Sequence, residues 1–429
     1  MALRERTVGV IDGLRERSAG LFGRLRERPE LVYWVSILGL LVVITWMGLI
    51  FRGRYLDLEV YRLGVQTWLR GGDLYGALPP TRAGVVLPYI YPPFAAILMV
   101  PLAALPWHVA VVAMFAVSMA SLACVIYLVV RRLWPSLTRS GALAVTSIVL
   151  VPTPMLEPIS QTFSFGQINL ELMALVALDC LVRRPRWPRG VLVGIAMAIK
   201  LTPGIFLLYF LLRRDYRAAL MSVVSAAVAT GIGLAVAPSE SLRYWGGGIS
   251  GTSGVSGSPF ITNETFQAVL VRAGFEGITM KVLWLLLSAL IVFLAAPAIR
   301  RGEPELAMVV TAGAGLLISP TSWSHHYAWI VPALMVMAAS AWRFRSSLWS
   351  TVTAVLAVVF VLSPFHWLPR GPFLPNGQYF EMSWTPAEKL VGATYVIVTA
   401  AVYVLLWWTW RQRADGQTPR SGQVESSAH

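Results

Sequence analysis

LVYWVSILGLLVVITWMGLIF, residues 31–51, runs through 21 positions without a charged side chain. As a helix it rises about 30 Å, the depth of a bilayer's hydrocarbon core. Similar runs recur along the 429 residues, of which 56% are apolar and 13% charged, with 17 Trp. So little polar surface excludes an ordinary soluble domain, and the chain reads as an all-α polytopic membrane protein whose first partner is the lipid bilayer.

The formal charge of +14 is carried mostly by arginines in short clusters between apolar runs. These clusters are the amino-terminal segment, Arg131/Arg132/Arg139, Arg183/Arg184/Arg186/Arg189, Arg213/Arg214/Arg217, Arg300/Arg301, Arg343/Arg345 and Arg411/Arg413. Short cytoplasmic loops retain arginine, so the pattern records topology and not nucleic-acid readout. With all clusters on one side, spans fall near 31–51, 107–130, 140–156, 168–182, 190–199, 203–212, 218–237, 281–299, 304–319, 326–342, 347–364 and 389–410, about twelve in all. The pair 190–199 and 203–212 is expected to form a hairpin, because basic clusters flank both ends. Residues 88–105, interrupted by Pro88, Pro92, Pro93 and Pro101, are expected to form a re-entrant or interfacial segment.

Residues 1–30 read as an amphipathic cytoplasmic segment, 31–410 as one transmembrane domain and 411–429 as a disordered cytoplasmic tail. The first apolar run lacks a small-residue cleavage site and reads as an anchor. Cys124 and Cys180 sit in separate predicted helices, a placement that argues against a disulfide or a zinc site.

The outer loops collect the uncommon polar residues. Asp57 lies in RYLDLEVYRLGVQTWLRGG, where Leu58, Tyr61, Val65 and Trp68 follow a helical period with Arg62 and Gln66 opposite, so an interfacial helix is expected. Its carboxylate is either the helix N-cap or a general base. Glu59, two positions on, points elsewhere. Gln167 and Asn169 stand at the mouth of a span and Glu171 just inside it, where an unpartnered polar group costs several kcal/mol. Each is an interhelical bridge or a substrate contact.

Lys200 sits at the turn of the expected hairpin, positioned to snorkel to lipid phosphate or to grip an anionic headgroup. His325 and His326 stand in SPTSWSHHYAWIVP with no carboxylate nearby in sequence to complete a metal site. They are a structural pair or donors to a phosphate leaving group. Asn263 and Glu264 follow the run GGGISGTSGVSGSPF, a substrate cover or a plain linker. Tyr89, Tyr91, Trp323, His366, Trp367 and Trp384 offer aromatic faces that suit a membrane interface or a sugar.

Five motifs then stand in order: Asp57-Leu58-Glu59-Val60-Tyr61, Tyr91-Pro92-Pro93, Phe165-Gly166-Gln167-Ile168-Asn169-Leu170, Lys200-Leu201-Thr202-Pro203, and Ser319-Pro320-Thr321-Ser322-Trp323-Ser324-His325-His326. Together they resemble the actinobacterial polyprenol-phosphate-mannose-dependent α-(1→2)-mannosyltransferases, over most of residues 31–410. The resemblance implies a GT-C fold and an inverting transfer from polyprenyl-phosphate-mannose to a mannosylated glycolipid, a phosphatidylinositol mannoside or a lipomannan or lipoarabinomannan. It places the site on the periplasmic face of the plasma membrane and implies neither metal nor other cofactor.

Asp57 then becomes the general base, and His325, His326 and Lys200 hold the donor phosphate. Glu59, Tyr91, Gln167, Asn169, Glu171, Asn263, Glu264 and Trp323 surround the substrates. Glu264 departs from the family's pattern, which bears on the acceptor. A pentose such as arabinose on the same carrier fits the same residues. A lipid-linked-sugar flippase calls for inverted repeats and a midplane site, neither of which the sequence displays. A non-catalytic scaffold leaves Asp57 and the histidine pair without a role.

Overall fold

Apolar runs without water to satisfy their backbone fold as helices, and the computed structural model is helical throughout. It describes residues 29–50, 55–247, 257–371 and 378–416. Among these the only strand-like pairing is one antiparallel bridge between Asn263 and Trp323. The first half comprises α1 (Pro29–Ile50), α2 (Leu56–Leu69), α3 (Pro93–Ala104), α4 (Trp107–Leu133), α5 (Arg139–Leu150), α6 (Glu157–Phe165), α7 (Asn169–Leu181), α8 (Val191–Ile199) and α9 (Phe206–Leu212). The second half comprises α10 (Tyr216–Val236), α11 (Pro238–Trp245), α12 (Phe266–Arg272), α13 (Gly277–Arg301), α14 (Pro304–Ile318), α15 (Ile330–Arg343), α16 (Ser347–Leu362), α17 (Pro386–Val391) and α18 (Thr394–Gly416). The segment 1–30 and the tail 411–429 lie largely outside the described residues, as does most of the glycine-rich run 246–260.

Among the described residues four helices are long and apolar enough to cross a membrane alone: α4, α10, α13 and Ser347–Trp367. The expected map of about twelve crossings is not reached by this measure. Its run 140–156 shows one reason. Pro152, Pro154 and Pro158 interrupt the backbone ladder, so α5 stops at Leu150 and α6 departs at 83°. The expected outer loop 157–167 is therefore a helix, and it carries part of the candidate site.

Arg132, Arg189 and Arg213 gather at helix C-termini, which present unpaired carbonyls and a partial negative charge. Arg132 donates to Leu181 O at 2.7 Å, Arg189 to Asp179 O and to Val182 O, and Arg213 to Ile299 O at 3.0 Å and Gly302 O at 2.8 Å. Arg189 and Arg213 both lie close to Cys180 near the end of α7. Residues 190–212 thus leave and return at that end as the expected hairpin, with Lys200 at the far turn.

Helix α2 does not present Arg62 and Gln66 to open water. Arg62 donates to Leu102 O and Leu105 O, and Gln66 to Ala103 O at 2.8 Å, closing the C-terminus of α3. The short, proline-interrupted segment 93–104 is thereby fixed against α2, one face of which bears Asp57.

Candidate active site

Tyr55, not Asp57, occupies the N-cap of α2, in a left-handed conformation and without a side-chain cap. The capping alternative for Asp57 therefore fails. The carboxylate, one residue inside the helix, accepts a hydrogen bond from Gln167 Nε2 at 2.8 Å. Gln167 Oε1 in turn receives Tyr61 OH at 2.5 Å, Tyr91 OH at 2.9 Å and Ile168 N at 3.0 Å. Four donors and acceptors from three segments so fix the amide that orients Asp57. Tyr61 is one helical turn beyond Asp57, a spacing that puts both on one face. In the sequence Tyr61 belongs to the apolar helical period and to the Asp57–Tyr61 motif, neither of which singles out its hydroxyl.

The turn before Gln167 depends on Gly166, whose φ of +64° belongs to the left-handed region. A Cβ there meets Leu58 Cβ at 2.8 Å. Gly166→Ala is expected to cost about 1–3 kcal/mol and to displace Leu58 and Gln167 together. Thermal unfolding and turnover of purified protein check this, and wild-type values for both would show that the turn tolerates a side chain.

Lys200 Nζ lies 5.5 Å from the Tyr91 ring centre. It donates to Asn169 Oδ1 at 3.1 Å and lies 3.2 Å from His326 Nε2. An ammonium has three hydrogens, so these two partners hold it while one donor remains for an anion. The histidines divide. His326 faces Lys200, whereas the His325 carbonyl receives Asn169 Nδ2 at 3.3 Å and the Thr162 hydroxyl at 3.1 Å. The His325 ring stands edge-on to Phe165 and His326, and its Nε2 is buried without a hydrogen-bond partner. Of the two, only His326 meets the lysine through its side chain.

Burial pushes the Asp57 carboxyl up to about 6, while Lys200 and the Gln167 hydrogen bond pull it down. Burial brings the Lys200 ammonium down to about 8, against the attraction of Asp57. Desolvation wins in both cases, and each group stays near the pH at which protons are exchanged.

Other predicted residues lie apart from this cluster. Glu59 receives the Arg82 backbone N–H at 3.0 and 3.1 Å and anchors that loop. Glu171 accepts from Ser118 of α4 at 2.6 Å, so it bridges helices. Asn263 Oδ1 accepts from Ser322 N and its Nδ2 donates to Ser258 O, engaging the amide within the scaffold. Glu264 is fully buried 3.9 Å from the Arg272 guanidinium. Trp323 pairs with Asn263 and packs edge-on against Phe260. Glu59, Asn263 and Trp323 thus contact the chain's own groups, while Glu171 Oε2 and both Glu264 carboxylate oxygens are buried without a hydrogen-bond partner.

Below His326 and Asn169 an apolar slot of about 60 Å³ opens between Leu172, Met173 and Phe206. Leu316 and Trp329 line both this slot and a larger apolar cavity of about 160 Å³ between α14, α15, α16 and α18. The polar cluster therefore borders the smaller of the two. Among the described residues no three His, Cys, Asp or Glu side chains converge as metal ligands.

Asp57, held by Gln167, and the Lys200–His326 pair thus both meet Tyr91, and His326 and Asn169 also line a small slot in a helical scaffold. The model of glycosyltransferase family 87 matches residues 89–320. The chain belongs to glycosyltransferase family 87. Among relatives of this family 87 chain is the polyprenol-phosphate-mannose-dependent alpha-(1-2)-phosphatidylinositol mannoside mannosyltransferase of Mycolicibacterium smegmatis, 36% identical across 88% of this chain and 90% of the relative. The Mycobacterium tuberculosis enzyme named for phosphatidylinositol pentamannoside is 30% identical across 81% of this chain and 80% of its own length. An alpha-(1->3)-arabinofuranosyltransferase of M. tuberculosis is 28% identical across 64% of this chain and 60% of its own. The family 87 assignment makes this chain a membrane glycosyltransferase.

Proposed function

We propose that this family 87 member is an inverting mannosyltransferase that moves mannose from polyprenyl-phosphate-mannose to a 2-hydroxyl of a phosphatidylinositol mannoside or a related mannosylated lipoglycan. The observation that carries this reading is that Asp57, through Gln167, and the Lys200–His326 pair both converge on Tyr91. Asp57 takes the proton of the acceptor hydroxyl as that oxygen bonds to C1 of the sugar. The bond from C1 to the phosphate oxygen breaks with its electrons, and polyprenyl phosphate leaves. Lys200 supplies its third N–H to the departing phosphate, a charge-assisted contact that strengthens as negative charge grows. One displacement inverts the anomeric centre.

The slot under His326 suits the first isoprene units of the carrier, because apolar walls begin where the polar grip ends. Metal-independent transfer belongs to the same reading, since the phosphate finds a cation in Lys200. The candidate base and grip lie away from the end where Arg132, Arg189 and Arg213 meet helix carbonyls, and such short arginine clusters mark the cytoplasm, so transfer takes place at the periplasmic face of the plasma membrane.

The deciding assay supplies purified protein with polyprenyl-phosphate-mannose and a panel of mannosylated lipids, and reads products by mass spectrometry and linkage analysis. An α-(1→2)-mannosyl product is expected. Transfer from polyprenyl-phosphate-arabinose alone would instead support the pentose reading that the arabinofuranosyltransferase relative favours.

The pH dependence follows from the two shifted groups. The base acts unprotonated and the cation acts protonated, so kcat/KM is expected to rise through about pH 6 and fall above about pH 8. A profile flat from about pH 5 to about pH 9 would remove both assignments.

A further inference from the structure

Helix α6 is nine residues long and touches both halves of the proposed machinery. At its C-terminal end Ser164 O accepts the Tyr55 N–H at 3.0 Å, Gly166 packs on Leu58, and Gln167 reaches Asp57. The start of α2, and with it the base, is thus set against that end. In the middle, the Thr162 hydroxyl lies between the carbonyls of Pro158 at 2.7 Å and His325 at 3.1 Å. At the N-terminal end Glu157 Oε1 accepts the Ser324 hydroxyl at 2.6 Å, one residue before His325. A helix of this length spans roughly 13 Å and resists bending.

Glu157 is buried and does more than hold Ser324. Its Oε1 also lies 3.0 Å from His366 Nε2, and its Oε2 accepts from Tyr395 OH at 3.2 Å. Arg370 Nη2 lies 2.5 Å from His366 Nδ1. A guanidinium only donates, so Nδ1 accepts and Nε2 carries the hydrogen given to Glu157. Tyr395 OH is 3.1 Å from Ser363 Oγ. One carboxylate so ties α6 to the Ser324–Trp329 turn, the Pro364–Trp367 turn and the start of α18. The mechanism above makes no use of this cluster.

We infer that α6 is the spacer that sets the distance between the general base and the donor-phosphate grip, and that Glu157 is a positioning residue for the grip through Ser324. An in-line displacement needs base and leaving group held at a fixed separation across the sugar, and misplacement of either lowers the rate steeply. The hydrogen bonds at the two ends of α6 serve different substrates. Loss of the Glu157 end frees the turn bearing His325 and His326 while Asp57 remains held by Gln167.

This inference rests on the proposed mannosyl transfer, and the test separates the two. Wild type, E157A, E157Q, S324A and the double variant E157A/S324A are compared with polyprenyl-phosphate-mannose and a phosphatidylinositol mannoside acceptor. If wild type transfers no mannose, the functional reading fails before the variants are consulted. With active wild type, E157A is expected to raise donor KM on the order of tenfold and leave acceptor KM near wild type. E157Q keeps an oxygen where Ser324 and His366 donate, and is expected to recover most of the donor affinity. S324A is expected to resemble E157A in kind, and the double variant to add little to E157A, because E157A already removes the Glu157–Ser324 hydrogen bond along with those of His366 and Tyr395.

Unchanged KM values with a proportionate loss of active protein would show Glu157 to be a fold residue only and would overturn the inference. Additive effects of E157A and S324A would overturn it too. Should E157A not fold, S324A decides alone, since it removes one hydroxyl: an unchanged donor KM then defeats the proposal.

Discussion

Asp57→Asn is expected to slow mannosyl transfer by about 10²- to 10⁴-fold, the range over which a positioned general base acts. The substitution is close to isosteric, and its carbonyl oxygen can still accept from Gln167 Nε2, so the hydrogen bond that orients position 57 survives. Folding is therefore expected to be retained, and the thermal transition to lie near that of wild type. What disappears is the ability to take a proton. Donor and acceptor KM are expected to change little, because the lost interaction forms as the hydroxyl attacks. Single-turnover rates with purified variant and wild type check this, and transfer within a few-fold of wild type would leave the site without its base.

Lys200→Met is expected to produce the second large loss, about 10²- to 10³-fold in kcat/KM. Methionine keeps the unbranched apolar stem and removes the ammonium, so the side chain still fills its place beside Tyr91. Asn169 and His326 then lose their shared donor, and the departing phosphate loses its cation. Lys200→Arg is not expected to rescue fully. A planar guanidinium is larger than an ammonium and cannot occupy the same gap between Asn169 Oδ1 and His326 Nε2 without moving one of them. The alkaline limb near pH 8 is expected to vanish in Lys200→Met while the acidic limb remains and moves above about pH 6, because Lys200 no longer pulls the Asp57 carboxyl down. Loss of both limbs together would mean that the two groups are not separable in the reaction.

Much of this was legible in the residues. The charge-free run 31–51 and the spaced arginines announced a membrane helical bundle, because burying a charge in hydrocarbon is costly enough to shape the whole sequence. Asp57, Lys200, Gln167, Asn169 and His326 stood out for the same reason. Their convergence was not legible, since Asp57 and Gln167 are separated by 110 positions and Lys200 and His326 by 126. Glu171 and Glu264 stood out equally; the first accepts from Ser118 and the second is buried 3.9 Å from the Arg272 guanidinium. A polar group at membrane depth needs a partner, and sequence does not say whether that partner is substrate or protein. Glu157 passed unnoticed because it precedes a proline in a segment expected to be loop.

The sequence by itself determined the class of solvent, the helical character and the arginine-marked end, since each follows from local transfer free energies that neighbours cannot reverse. Only the tertiary structure decided that Asp57 is oriented by Gln167 and does not cap its helix, that His326 and not the His325 ring meets Lys200, and that α6 links both. Those choices depend on hydrogen bonds between distant segments, whose strength falls away within a fraction of an ångström and a few tens of degrees. No local pattern encodes that geometry.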